Sequence, residues 1–192
     1  TGNAYAMPWL KDVPAVVQAW YMGTEGGSAI ADVLSGDVAP SGKLPFSFPA
    51  RLQDCAPHSF DKMAYPGDSV REIYREDILV GYRWHDTKRV PPLFPFGHGL
   101  SYVTFTYGKA SVALNGDSTW TVSVPVTNNG TMEASEVVQL YVGDDKCTVL
   151  RPKKELKAFA KVKVKPGATA TATMSVSRDD LMFWSEKDNG WK

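Results

Sequence analysis

From Thr104 onward, polar and apolar residues alternate with a period of two. Thr119–Val126 reads TWTVSVPV and Val137–Val142 reads VVQLYV, and Lys157–Val164 and Thr169–Val176 keep the same rhythm. A strand turns successive side chains to opposite faces, so each run predicts a half-buried β-strand. Asn128-Asn129-Gly130, Asp144-Asp145 and Pro166-Gly167 supply turn residues between the runs.

Short strands at this spacing predict an antiparallel β-sandwich of the immunoglobulin or fibronectin type III kind. Pro125 has no N–H to give a ladder, so it is expected at an edge or a bulge. The pattern yields about five or six strands where about seven make such a sandwich, so its last strands are expected to be missing.

The first half has a different grammar. Residues 15–21, AVVQAWY, form a compact apolar run that predicts a buried strand. Met22 to Gly27 is a turn, with Ser28 as N-cap of a helix over Ala29–Leu34 and Gly36 at its left-handed C-cap. Pro40-Ser41-Gly42 predicts a second turn, and Leu44–Phe48 a strand ended by Pro49. This β–turn–α–turn–β order is one unit of an α/β layered fold. Residues 50–72 read as a long surface loop and Ile78–Trp84 as a strand. Pro91, Pro92 and Pro95 impose an extended path.

The expected fold class is therefore α/β plus all-β. Residues 1–90 form an incomplete α/β sandwich segment with a long loop, 91–103 a Pro-rich connector, and 104–192 the β-sandwich. One βα unit leaves a parallel sheet with open edges, so the chain is expected to be truncated at both ends. It opens on Thr1-Gly2-Asn3, without a secretory leader pattern.

Charge narrows the partners. The 192 residues carry 21 Lys+Arg and 21 Asp+Glu, so no basic field points to nucleic acid or an anionic membrane. No apolar run approaches the ~20 residues that span a bilayer. Cys55 and Cys147 lie in different halves and make neither a metal pair nor a disulfide framework, although a single long-range pairing stays open.

Each chemical motif has a structural alternative that is favoured. Gly23-Thr24-Glu25-Gly26-Gly27-Ser28 opens a helix and could hold an anion, but no Gly-Lys-Ser/Thr follows, so a tight turn is expected. Glu72, Glu76 and Asp77 could pair as glycosidic acid and base, yet their alternation with Arg71 and Arg75 reads as a solvated ion-pair cluster. Gly97-His98-Gly99-Leu100-Ser101 lacks the second glycine of a nucleophile elbow, since position 103 is Val, and His98 is expected to be a packed or hydrogen-bonded turn residue. Trp84, His85 and Asp86 could meet a sugar, but are expected to pin the irregular segment. Asn129-Gly130-Thr131 is a sequon short enough to arise by chance.

A set of ordered motifs goes further. AMPW (6–9), AWYMGTEGGSAIADVLSGDVAPSGKLPFSFP (19–49), VGYRWHDT (80–87) and LFPFGHGLSYVTF (93–105) resemble the C-terminal region of glycoside hydrolase family 3. KELKAFAKVKVKPGATAT (154–171) resembles that family's fibronectin type III-like domain. The resemblance covers nearly the whole chain, and the wording is nearest the β-glucosidase branch.

It implies an exo-acting retaining mechanism, in which an Asp attacks the anomeric carbon while a Glu protonates the leaving oxygen and later activates water. The family places the Asp in an N-terminal (β/α)8-type barrel and the Glu in a loop upstream of AMPW. No residue of this chain is therefore carried over as catalytic or metal-ligating, Glu25 included, and no substrate contact is assigned. No cofactor is implied. The implied partners are β-linked glucosides met by the complete enzyme, the N-terminal barrel and the rest of the α/β domain. Homo-oligomerisation stays open. A rival expectation is a non-catalytic carbohydrate- or protein-binding sandwich, with Trp120, Trp184 and Trp191 as platforms if they are exposed and coplanar. A nucleotide-binding unit on the Gly23–Gly27 turn is a third.

Overall fold

The computed structural model describes residues 2–116 and 118–192; Thr1, part of the opening tripeptide, and Asp117 lie outside the described residues. The chain divides into two compact units. One comprises Thr1–Asp37, Lys43–Gly99 and Gly143–Lys154, the other Val38–Gly42, Leu100–Val142 and Glu155–Lys192.

The second unit is the β-sandwich. Its strands are β1 (Phe105–Tyr107), β2 (Ser111–Leu114), β3 (Thr119–Asn128), β4 (Ala134–Val142), β5 (Glu155–Val164) and β6 (Thr169–Ser177). All pairings are antiparallel: β1, β2 and β6 with β3, and β4 with β5. β6 pairs β3 from Thr119 to Thr127, so β1 and β2 must share the other side of β3 end to end. Pro125 falls at the break between them, where Gly108 N–H donates to Pro125 O at 2.8 Å. The expected edge is corrected: β3 is the central strand, and the missing N–H sits where its ladder is already interrupted.

The alternation that predicts the strands also builds the core. Val124, Val126, Val138, Ala172 and Met174 are buried from both sheets, with Phe105, Leu140, Ala158, Ala160 and Val162 packed around them. Full burial of one such side chain is worth about 1.5–3 kcal/mol. Gly167, at φ 67°, lets the Lys165–Ala168 turn carry the chain from the β5 sheet to the β6 sheet. After β6 comes one helical turn, Arg178–Leu181, whose cap Ser177 exchanges hydrogen bonds with Asp180. A small hairpin then pairs β7 (Trp184–Ser185) with β8 (Gly190–Trp191).

In the first unit, three expected strands are corrected. Residues 15–21 form no ladder among the described residues, and Val17 and Tyr21 are exposed. An apolar run becomes a strand only when neighbours accept its hydrogen bonds. Leu44–Phe48 is reduced to a single bridge, Phe48 with Phe94. Ile78–Trp84 instead enters a helix over Tyr82–Lys88. Gly81, at φ 60°, turns the chain, and its carbonyl accepts from Trp84 and His85.

The other helix, Gly26–Ser35, starts earlier than expected, so Ser28 lies inside it rather than at its cap. A Cβ on buried Gly26 would meet Met22 Cβ at 2.5 Å, and this close approach outweighs glycine's poor helix propensity. Gly36 caps the helix as expected, at φ 86° with its N–H on Val33 O. The 50–72 loop contains two 3₁₀ turns, Leu52–Asp54 and Ala56–Ser59. Gly67 is needed in it: φ is 78°, and a Cβ would lie 2.3 Å from Arg71 O.

Candidate functional site

The motif residues of the first unit converge on a zipper between two irregular segments. Phe48 N–H donates to Phe94 O at 2.8 Å, Leu93 N–H to Phe48 O at 2.8 Å, Leu44 N–H to His98 O at 2.8 Å and Gly97 N–H to Leu44 O at 2.8 Å. Ser47 Oγ accepts from Phe96 N–H at 3.1 Å, and Lys43 Nζ donates to Gly99 O at 2.8 Å. LPFSFP and LFPFGHG are therefore two halves of one extended ladder, kept irregular by their prolines. Aromatic rings cover it: Tyr5 meets Phe48 edge-on at 5.3 Å and Trp20 meets Phe46 at 5.1 Å.

The candidate residues divide by environment. Glu25 is exposed and sits at the N-cap of the Gly26–Ser35 helix without a side-chain capping bond. A carboxylate there already meets the positive end of the helix and opposes a phosphate. His98 stacks on Phe94 at 5.3 Å, a packed turn residue. Ser101 Oγ is buried with no hydrogen-bond partner, so no base activates it.

Trp84 is buried against Ala56 and Leu79, which denies its face to a sugar. His85 is buried, with Nδ1 2.9 Å from Val90 O. A carbonyl only accepts, so Nδ1 carries the proton and the tautomer is set. Asp86 pairs with Lys154 at 3.3 Å, and Thr87 Oγ1 accepts from Lys153 N–H at 3.0 Å. VGYRWHDT thus holds the 143–154 segment in place.

The acidic cluster departs from expectation. Arg71 and Arg75 pair outside the REIYRED run, with Asp68 at 4.0 Å and Asp61 at 2.8 Å. Arg75 holds the Asp61 carboxyl below the usual range, and the amides of Val70 and Arg71 do the same for Asp68. Glu72 and Asp77 are exposed. Glu76 is not solvated: it is 5 % exposed, and its Oε2 is buried without a hydrogen-bond partner.

Cys55 and Cys147 are both free. Trp184 and Trp191 are exposed, but their rings meet at 79° and 5.8 Å, so they offer no common plane to a sugar, and Trp120 is half-buried in β3. Asn129 is exposed and donates to Thr106 Oγ1 at 2.9 Å. Among the described residues, no group of three or more His, Cys, Asp or Glu has metal-holding geometry, and no helix is long and apolar enough to cross a membrane.

The chain thus combines a zippered segment that carries two helices with a fibronectin type III-like sandwich, and its motif residues are used for packing. Residues 1–102 match the glycosyl hydrolase family 3 C-terminal domain, and residues 136–192 match a fibronectin type III-like domain. The chain belongs to glycosyl hydrolase family 3.

Among its relatives, the β-glucosidase BoGH3A of Bacteroides ovatus is 52% identical over 194 residues, covering 100% of this chain and 26% of its own length. A β-glucosidase of Rhizobium radiobacter is 49% identical over 186 residues, covering 96% and 23%. The crystal structure of DesR, a β-glucosidase from Streptomyces venezuelae in complex with D-glucose, superposes with a TM-score of 0.94 at 43% identity over 99% of this chain and 24% of that one. A β-glucosidase from Kluyveromyces marxianus in complex with glucose gives 0.89 at 42%, over 100% and 23%. The chain thus spans about a quarter of the length of these relatives.

Proposed function

We propose that this chain is the C-terminal structural portion of a retaining, exo-acting β-glucosidase that releases terminal non-reducing β-D-glucosyl residues. The carrying observation is the match along the whole chain, at 52% identity, to a protein named a β-glucosidase. By itself the chain is inactive, because the nucleophilic Asp and the acid/base Glu belong to sequence outside it. This role accounts for the exposed apolar surface of the first unit. Tyr21 is 86% exposed and Leu34 66% exposed, and Val17 and Met22 are exposed as well. The remainder of the α/β domain would cover these side chains, and a surface this apolar on a free unit would otherwise be costly.

The test is hydrolysis of aryl β-glucoside and β-xyloside by the purified 192-residue chain, with a matched full-length enzyme as control. The reading requires an inactive chain beside a control active on the glucoside. Turnover by the chain alone would place a carboxylate pair within it, among Glu25, Glu72, Glu76 and Asp77, and would refute the proposal.

A further inference from the structure

β6 pairs β3 over nine residues with no register shift, from Thr119↔Ser177 to Thr127↔Thr169. Among the described residues, no strand lies on its other side. The ladder's phase shows which polar groups face that side. Asn128 N–H donates to Ala168 O at 3.0 Å, and Arg178 N–H to Ser118 O at 3.2 Å. Antiparallel partners alternate between bonded and non-bonded pairs. Even-numbered residues of β6 therefore turn their N–H and C=O groups to β3, while Thr169, Thr171, Thr173 and Ser175 turn theirs outward. Ser177 N–H also points outward, but is already taken by Asp180 Oδ2 at 2.8 Å.

Edge strands are normally protected by charge, proline, a bulge or shortness. Elsewhere this sandwich obeys that rule. β5 carries Lys157, Lys161 and Lys163, and β4 carries Glu136 and a register shift at Leu140/Tyr141. β1 and β2 are 3 and 4 residues long. β6 has no protection: TATATMSVS contains no charge and no proline. Charges occur only beyond its ends, with exposed Arg178, Asp179 and Asp180 after it, a net of one negative charge, and exposed Lys165 before it.

We infer that β6 pairs antiparallel with β6 of a second copy of this chain, about a two-fold axis at Thr173. In this register Thr173 faces its own counterpart, and Thr171 and Ser175 exchange hydrogen bonds with each other. Ser177 then faces Thr169 of the other copy, which sets the net acidic Arg178–Asp180 turn near the other copy's Lys165. A parallel copy would set like charges together. Hydroxyl pairs already form on the intramolecular side, Thr127 with Thr169 at 2.7 Å and Ser123 with Thr173 at 3.2 Å. An added strand also covers a groove of about 470 Å³ lined by Leu156, Lys157, Phe159, Thr173, Met174 and Ser175. Phe159 there is 68% exposed. Strand pairing alone buries less than the ~1,200 Å² of stable complexes, so the dimer is weak and reversible.

The test is sedimentation equilibrium of the 192-residue chain over a wide concentration series. The mass is expected to rise from 21.0 kDa toward twice that value. Thr173→Pro removes one outward N–H and spares the β3 ladder, so it should hold the chain monomeric with its melting temperature unchanged. Lys165→Glu and Asp179→Lys should each weaken the dimer, and the two together should restore it, which keeps the test decisive if the proline variant misfolds. A chain monomeric at every concentration, open-ended assembly, a dimer indifferent to Thr173→Pro, or a charge swap that does not restore association would each overturn the inference.

Discussion

Asn128 Nδ2 donates to Val164 O at 3.0 Å, joining the end of β3 to the end of β5 across 36 residues of sequence, with both residues fully buried. The same amide nitrogen reaches Met132 O at 2.9 Å, and Oδ1 accepts from Gly130 N–H at 2.8 Å. The backbone of Asn128 also bonds Gly167 and Ala168. One side chain thereby fixes two turns, and every polar atom on it is used.

Asn128→Ala should therefore be among the more damaging substitutions in the sandwich. It strands the buried carbonyl of Val164 together with the half-buried Met132 carbonyl and Gly130 amide, and a buried group left unpaired costs about 1–3 kcal/mol. The expected loss is about 3 kcal/mol or more, read from urea denaturation. A loss below about 1 kcal/mol would mean that water replaces the amide.

Tyr107 OH donates to Glu136 Oε1 at 2.8 Å, linking β1 to β4. Burial first, then the hydrogen bond to Glu136 and its charge, push the phenol above its usual value. The folded state therefore holds this proton more tightly than the unfolded state. Its contribution is complete below ~10, the unfolded pKa, and is lost as pH rises through the higher folded value. Tyr107→Phe should lower stability at neutral pH and reduce the fall in melting temperature above pH ~10. Parallel alkaline slopes for the two proteins would show that this pair contributes nothing to the pH dependence.

The sandwich was legible in the sequence because its information is local. Val124 and Val126 against Thr121 and Ser123 state a face, and Pro166-Gly167 states a turn. The first unit was less legible because its order comes from partners far along the chain. Phe48 finds Phe94, and nothing in the SFP or LFP triplets alone announces that pairing. AVVQAWY has a strand's composition without a strand's neighbours. VGYRWH alternates as a strand does, yet Gly81 turns the chain into a helix that buries Trp84 and His85 together. Of the candidate residues, His98, Trp84 and His85 had packing roles that could be read beforehand, whereas the burial of Glu76 could not. Charged residues on both sides made it look solvated.

Asp61 and Arg75 close the loop between them, with Nη2 to Oδ2 at 2.8 Å and Nε to Oδ1 at 3.1 Å. Because the Asp61 pKa is lowered in the folded state, its contribution is present above ~3.9 and disappears as pH falls through the folded value. Proteolytic nicking between residues 61 and 75 should rise in acid, measured with an acid-active protease. Asp61→Asn should show the same nicking at neutral pH. Equal resistance of variant and wild type at neutral pH would show that the backbone, including Asp68 and its bonds to Val70 and Arg71, holds the loop alone.

Glu76 should behave in the opposite way to Asn128. Both are buried polar side chains, but every polar atom of Asn128 is bonded, whereas Glu76 Oε2 has no partner. A buried polar atom without a partner costs about 1–3 kcal/mol, and an apolar side chain of similar shape avoids that cost. Glu76→Met should thus stabilise the 192-residue chain by roughly 1 kcal/mol, where Asn128→Ala destabilises it. Denaturant midpoints of both variants, measured side by side, give the comparison. A destabilised Glu76→Met would show that the carboxylate is satisfied in solution. A stabilised chain combined with lost hydrolysis in the full-length enzyme would show that Glu76 is kept for a contact made only there, since a residue that weakens its own domain is retained only where something else uses it.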